Sequence, residues 1–227
     1  MKISGFQKLS LVDFDGHMAA TIFTSGCNFA CPFCHNSRLV NNSEKALDLD
    51  EILTYLDKRK NLIDAVCISG GEPTLYNDLP EVIKKIKDLG YLVKLDTNGT
   101  NPEMIEHLYT AGLIDYVAMD IKNTFDKYPL TAGKSVAIDN IKKSITYIMN
   151  CGIDYEFRTT LVDGHHTHED IRSIAKILTG AKKYYLQKFE DSGECLTSGL
   201  GPVSKNDALI FQDTLKHHIQ SVHLRGY

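Results

Sequence analysis

An α/β fold in which mostly parallel strands wrap into an incomplete (β/α)6 TIM-like barrel is what this sequence predicts, and three observations predict it. Short apolar, β-prone runs alternate with segments of helical character. Successive runs are about 25 to 40 residues apart, the distance needed for right-handed βα crossovers. Polar residues gather at the carboxyl ends of the runs, the face on which parallel sheets and barrels bind ligands. Eight units would close a full barrel, and the sequence supports six. With no repeat, low-complexity tract or Gly/Ser-rich linker, the 227 residues read as one domain: a hairpin or cover over 1–19, a barrel core over 20–188, and a C-terminal helix with a closing strand over 189–227.

Taken in order, residues 3–12 read as an edge strand or hairpin arm closed by Asp-Phe-Asp-Gly at 13–16. The apolar run 20–23 is the first barrel strand, followed by a cysteine-rich loop. Residues 38–48 are polar and irregular, and Asp50 is suited to cap a helix reaching Lys60. A buried strand over 64–69 ends in Gly-Gly-Glu-Pro, and a helix over 78–89 leads to a strand over 91–96 ending in Thr-Asn-Gly. Pro102 opens a helix to Ala111, and a strand over 116–119 ends at Asp120. A helix over 134–150 precedes a strand over 155–160, and a helix over 168–178 precedes a strand over 183–187. The last helix covers 205–217, and 222–224 is a short closing strand.

Composition narrows the function classes. A hydrophobic share of 43% suffices for a sizeable core, and a net charge of -4 gives no broad basic field for nucleic-acid phosphates. No stretch has the apolar length of a membrane span, and the first 16 residues lack the apolar centre of a signal peptide. The expectation is a cytoplasmic protein with no nucleic-acid or membrane partner and with reduced cysteines.

Cys27, Cys31 and Cys34 stand at a Cys-x3-Cys-x2-Cys spacing inside Thr-Ser-Gly-Cys-Asn-Phe-Ala-Cys-Pro-Phe-Cys-His-Asn, 24–36. Thiolates so close in sequence converge on one metal centre only from a loop, since a strand would send alternate ones to opposite faces. An iron-sulfur cubane normally takes four thiolates, so a cage of three leaves one iron open for chemistry. Two rivals are a zinc site that adds His35 and a ferredoxin-like electron carrier; zinc sites usually draw on two separated knuckles, and no second Cys-x2-Cys follows. Six cysteines with three clustered are not a disulfide framework.

The cysteine motif, with an aromatic just before its last cysteine, resembles the signature of the radical S-adenosylmethionine (SAM) enzymes, and the run 23–36 is most similar to the activating enzymes of glycyl radical enzymes. The resemblance implies a 4Fe-4S cluster on Cys27, Cys31 and Cys34 whose open iron binds the amino and carboxylate groups of SAM. One electron then splits the sulfonium, and a 5'-deoxyadenosyl radical removes a hydrogen atom. It implies that Phe33 lies against the adenine and that His35 contacts SAM. It further implies that Gly70, Gly71 and Glu72 hold the SAM amino group, with Gly71 as the backbone contact. Asp96, Thr97 and Asp120 resemble residues that bind a monovalent cation beside SAM, while Asp120 and Lys122 sit in a SAM-contacting Asp-x-Lys run. Arg158 matches an arginine near the SAM carboxylate and ribose. Gln187 stands where the formate-lyase activase has a SAM-contacting histidine, a departure from the pattern.

Each of these has a plainer reading. Gly-Gly-Glu-Pro is a common turn; its glycines equally let a ligand approach the backbone while carbonyls and Glu72 accept bonds from an ammonium group. Asp96 and Thr97 suit a turn, and Asp120 with Lys122 suits a surface ion pair; carboxylates beside an anionic ligand group would, however, need a cation between them. Arg158 on an apolar strand either faces outward or needs an anion. Phe33 is either core or site wall. His165, His166 and His168 read as a solvated loop before a Thr-x-x-acid helix start rather than a metal tract. Cys67 reads as core, and Cys151 and Cys195 are isolated, without the spacing of an added ferredoxin cluster.

The function expected is activation of a large glycyl radical enzyme by removal of a glycine hydrogen, with a flavodoxin or ferredoxin-type electron donor. Anaerobic ribonucleoside-triphosphate reductase is the first choice of partner, and a pyruvate formate-lyase-type activating enzyme the second. Alternatives are a small-molecule radical SAM enzyme such as a deazapurine synthase, and a non-enzymatic zinc or electron-transfer module.

Overall fold

In the computed structural model, residues 1–40, 44–191 and 193–227 are described. Strand β1 (Ile3–Ser10) pairs antiparallel with β2 (Ala19–Thr24). From β2 onward every neighbouring pair is parallel: β3 (Ala65–Gly70), β4 (Leu92–Thr97), β5 (Tyr116–Asp120), β6 (Asp154–Leu161), β7 (Lys183–Lys188) and β8 (Ser221–Arg225). The eight strands lie in sequence order, and among the described residues no pairing joins β1 to β8, so the barrel is partial. The short closing strand expected near 222–224 is a full parallel member of the sheet.

The helices cover the outer face because their apolar residues recur at helical spacing. Helix α1 (Ser37–Val40) is a single turn inside the stretch expected to be irregular, of which 41–43 lie outside the described residues. Helix α2 (Leu49–Asp57) buries Ile52 and Leu56, and α3 (Leu79–Asp88) buries Leu79, Val82, Ile83 and Ile86, an i, i+3, i+4, i+7 stripe. Helix α4 (Pro102–Thr110) is capped by Asn101, as the Pro102 start requires. Two helix starts differ from expectation. Asp48, not Asp50, caps α2: its extended backbone lets its carboxylate accept the Asp50 N–H at 2.7 Å. The helix expected from 134 is α6 (Ile138–Asn150), because a separate short helix α5 (Tyr128–Ala132) ends at Gly133 with φ 67°. A Cβ on Gly133 would lie 2.1 Å from the Ala30 carbonyl oxygen, so the cysteine-loop backbone occupies the space a side chain would need.

Helix α7 (His168–Ile177) and α8 (Lys205–Lys216) complete the outer layer, each with a hydroxyl cap, Thr167 and Ser204. Because β1 runs antiparallel, the β1–β2 turn lies at the amino end of the parallel strands. The cover expected over the site therefore closes the floor of the barrel. There the Lys94 amine donates to the Asp13 carbonyl at 2.7 Å, and Tyr185 donates to Asp15 at 2.7 Å. No helix of the described residues is long and apolar enough to cross a membrane.

The capping box on α7 gives a direct test of local assembly. Thr167 accepts from the Asp170 N–H at 3.3 Å while Asp170 accepts from the Thr167 N–H at 2.9 Å. Thr167→Ala is expected to cost about 1 kcal/mol, read as a fall of roughly 2–4 °C in melting temperature.

Candidate active site at the carboxyl end of the sheet

Because β2 to β7 are parallel, the residues that end them meet on one face. They line a solvent-open cavity of about 230 Å³, and every site residue expected from the sequence lies on its wall: the three cysteines, Phe33, His35, Gly70, Gly71, Glu72, Asp96, Thr97, Asp120, Lys122, Arg158 and Gln187. Phe29, Asn36, Val40, Ser69, Asn98 and Thr160 also line it and were missed. Thr160 could have been found from strand alternation, since it sits two residues beyond Arg158 on the same face. Ser69 immediately precedes the Gly-Gly pair and donates to Asp96 at 3.0 Å.

The cysteine loop is fastened at several points. Gly26 N–H bonds to Leu39, Ala30 N–H to Ala132, and the Gly26 carbonyl accepts Glu72 N–H at 2.9 Å. A Cβ on Gly71 would lie 1.9 Å from that same carbonyl oxygen, and one on Gly70 (φ 109°) would lie 2.4 Å from Thr24 N. These glycines are therefore required by close approach of the loop itself, apart from any ligand. The three thiols are reduced and unbridged. Burial pushes the Cys27 thiol up to about 12 and raises Cys31 and Cys34 as well. In a metal-free protein they stay protonated, and metal binding releases those protons.

Among the described residues, no group of three or more His, Cys, Asp or Glu is gathered to hold a metal ion, and the His35 ring stacks on Phe189 with centroids 5.7 Å apart. That holds of Cys27, Cys31 and Cys34 too, so the thiols are not set around a single ion. A soft set of three loop thiols with no fourth fits a multi-iron cluster with an open position.

Glu72 is fully buried, and its carboxylate is already engaged. Oε1 accepts from Thr74 N–H at 3.1 Å, the Thr74 hydroxyl at 2.5 Å and the Thr97 hydroxyl at 2.8 Å, and Oε2 accepts Asn98 N–H at 2.6 Å. It locks the β3 and β4 loops together, rather than standing free for a ligand ammonium as its sequence context suggested. Burial raises its pKa against the lowering effect of those donors.

The floor of the cavity is a chain of alternating charge. Arg158 donates from Nε to Asp120 Oδ1 at 3.0 Å and from Nη1 to Asp96 Oδ2 at 3.2 Å, and Lys122 donates to Asp120 Oδ2 at 2.9 Å. Arg158 therefore faces inward, and its guanidinium occupies the place between Asp96 and Asp120 where a monovalent cation was expected. Thr97 spends its hydroxyl proton on Glu72. Burial opposes ionisation of Asp120, but Lys122 and then Arg158 outweigh it and hold the carboxyl at about 2. Lys122 is pushed the other way, raised above its ordinary value by Asp120 against its own burial.

Phe33 is only 5% exposed and meets the His165 ring edge-to-face at 6.1 Å, so it is both core and cavity wall. The histidine tract is not a solvated loop throughout. His166 is buried; its Nδ1 accepts Val162 N–H at 3.1 Å, which leaves Nε2 to donate to the Lys122 carbonyl at 2.9 Å. Burial lowers its pKa and keeps it neutral. Cys67 is core, as expected, with its thiol pushed well up by burial.

Residues 21–178 match the profile of the Radical SAM superfamily. The chain belongs to this family. Its cofactors are those of the radical SAM enzymes, a 4Fe-4S cluster and SAM. It is 39% identical over 193 residues to a candidate glycyl-radical enzyme activating enzyme of Methanocaldococcus jannaschii, covering 83% of this chain and 80% of that one. It is 30% identical over 190 residues to the pyruvate formate-lyase-activating enzyme of Clostridium pasteurianum, covering 78% and 76%. A candidate GTP 3',8-cyclase of Saccharolobus solfataricus matches at 32% over 127 residues, covering 54% of this chain and 41% of that one. Among solved structures, Streptococcus suis SuiB bound to SAM superposes with a TM-score of 0.71 at 16% identity, a likeness of fold; 89% of this chain is covered, and the chain spans 49% of SuiB. This is a radical SAM enzyme whose relatives over most of its length are of the glycyl-radical activating type.

The Arg158 bridge predicts a pH signature. A carboxyl held at about 2 in the fold, below its ordinary ~3.9, stabilises the protein above pH ~4, and that contribution is lost as pH falls through 2. Arg158→Met leaves two carboxylates without their shared cation. It is expected to cost about 2–3 kcal/mol in urea unfolding at pH 7, with the gap to the parent protein narrowing at pH 4 as the Asp120 carboxyl, no longer held down by Arg158, protonates.

Proposed function

We propose that this radical SAM enzyme removes a hydrogen atom from a glycine of a large partner protein, leaving a stored glycyl radical, and that the partner is anaerobic ribonucleoside-triphosphate reductase. The observation that carries the reading is the convergence, on one solvent-open mouth, of three loop thiols with the Asp120–Lys122 and Arg158 charges beneath them. Cys27, Cys31 and Cys34 would hold the cluster, with SAM bound beside it. Bound together, the two supply one-electron cleavage of a sulfonium and, from it, removal of a hydrogen atom. Lys122 and Arg158 offer donors for the SAM carboxylate, and backbone groups at Gly70 and Gly71 offer partners for its amino group. Gln187, at the end of β7, offers an amide to the same ligand. The electron would come from a flavodoxin or ferredoxin-type donor.

Support for a protein substrate comes from the extent of the likeness: activating enzymes match this chain over 70–83% of its length, cyclases over 40–57%. Against a formate-lyase partner stand the lower identity to that activating enzyme and the glutamine at 187. The cyclase match keeps a small-molecule substrate as the second reading.

Oxygen-free reconstitution should give iron and sulfide in equal amounts, with reductant-dependent release of 5'-deoxyadenosine from SAM. Incubation with an anaerobic ribonucleotide reductase should then produce the glycyl doublet in electron paramagnetic resonance. Zinc in place of iron sinks the whole reading; cleavage of SAM with no doublet from any glycyl radical enzyme, but with turnover of a nucleotide, favours the second. Cys31→Ala should abolish iron loading. Lys122→Ala should keep iron while weakening SAM binding about tenfold, the equivalent of ~1.4 kcal/mol, measured by calorimetry under argon.

A further inference from the structure

Asn98 follows Asp96 and Thr97 and was read from the sequence only as part of a turn. It is 5% exposed, and its side chain is held in one orientation. Its Oδ1 accepts both the Thr100 N–H at 3.0 Å and the Thr100 hydroxyl at 2.7 Å, and a backbone N–H can only donate, so the oxygen is identified by its partners. The Nδ2 group must then face the cysteine loop. It donates to Asn28 Oδ1 at 2.7 Å and points its second proton at Cys27 Sγ, 4.0 Å away. Asn28 returns a bond to the Thr100 hydroxyl at 2.8 Å, closing a ring of three side chains. The ring is anchored from outside: Asn140 on α6 donates to the Thr100 carbonyl at 3.0 Å, and Ser144 donates to the Gly99 carbonyl at 2.7 Å. The backbone of Phe29 supplies a second N–H to the same sulfur at 3.4 Å.

A donor aimed at a ligand sulfur draws electron density from the thiolate and favours the reduced, more negative cluster; hydrogen bonds to sulfur are one of the levers that set cluster potentials. We infer that Asn98 is a positioning residue for the cluster: its amide, oriented by the Thr100 N–H that its oxygen accepts, donates to the Cys27 sulfur and raises the reduction potential of the iron-sulfur centre. This rests on the cluster assigned to the three cysteines.

The test is a potentiometric titration of the reconstituted holoprotein, followed by electron paramagnetic resonance, in four forms: parent, Asn98→Leu, Asn98→Asp and Thr100→Val. Both Asn98 variants should load iron and sulfide as the parent does and show a shift to more negative potential, larger for Asn98→Asp, which puts a negative oxygen where the donor was. Thr100→Val retains the N–H that orients Asn98 and should keep the parent potential while melting at a lower temperature. A parent potential in both Asn98 variants overturns the inference, as does an equal shift in Thr100→Val, which would mean general loosening of the loop. Loss of iron in both Asn98 variants overturns it too, in favour of a purely assembling role. A parent protein that binds no iron defeats the cluster assignment itself, a result distinct from all of these.

Discussion

The buried carboxylate of Glu72 is the tie on which the site depends. Four donors from two strand-end loops converge on it, and its own N–H reaches the Gly26 carbonyl in the third. A carboxylate with no solvent exposure is costly to ionise, and each donor it collects reduces that cost. The consequence is geometric: the cysteine loop, the Gly70–Gly71 turn and the Thr97–Asn98 turn cannot move independently. A cage of three thiols on a flexible loop would lose entropy on closing around a cluster, and a loop already fixed by such ties has lost most of it on folding.

A second constraint runs through the barrel itself. In a full barrel of this kind the interior is packed with branched apolar side chains. Here Lys94, 2% exposed, lies inside with its amine 3.6 Å from Glu156 and 3.8 Å from Asp96, and Asp96 shares Arg158 with Asp120. The series Lys122, Asp120, Arg158, Asp96, Lys94, Glu156 alternates in sign from the mouth to the floor, where Arg225 stands 3.9 Å from Glu156. Alternation matters because an unpaired charge at such depth would cost several kcal/mol, while every member after Lys122 meets opposite charge on both sides. The apolar burial that stabilises the fold is displaced to the outer layer, where Leu56, Ile83, Ile86 and Ile174 from the helices pack against the sheet.

The sequence made the alternation of strands and helices legible because each strand is a short apolar run that ends at a polar residue, and the strand ends carried the site residues with them. What it left hidden was decided by contacts between distant segments. Gly133 stops α5 where the Ala30 carbonyl fills the space beside it, about a hundred positions away along the chain. His166 is buried because the loop before α7 folds back on the Lys122 carbonyl, although the Thr-x-x-Asp helix start beside it was readable. The sequence offered a monovalent cation beside Asp96 and Asp120 and left the facing of Arg158 open; that Arg158 pairs with both carboxylates depends on β5 and β6 lying side by side with Asp120 opposite Arg158.

That pairing also explains how one face can serve two chemically different needs. The cysteines lie in surroundings that push their thiols toward the neutral form, a setting in which only a strongly positive metal centre makes thiolates stable. Across the cavity, Asp120 is held ionised by Lys122 and Arg158, so its charge persists through the neutral pH range. A thiol wall that takes up positive metal stands close to a carboxylate floor, and Lys122 serves both, holding Asp120 ionised while favouring the Cys31 thiolate. The parallel sheet makes this possible: it brings the ends of β2, β4, β5 and β6 to a common level while leaving each loop free to carry its own chemistry.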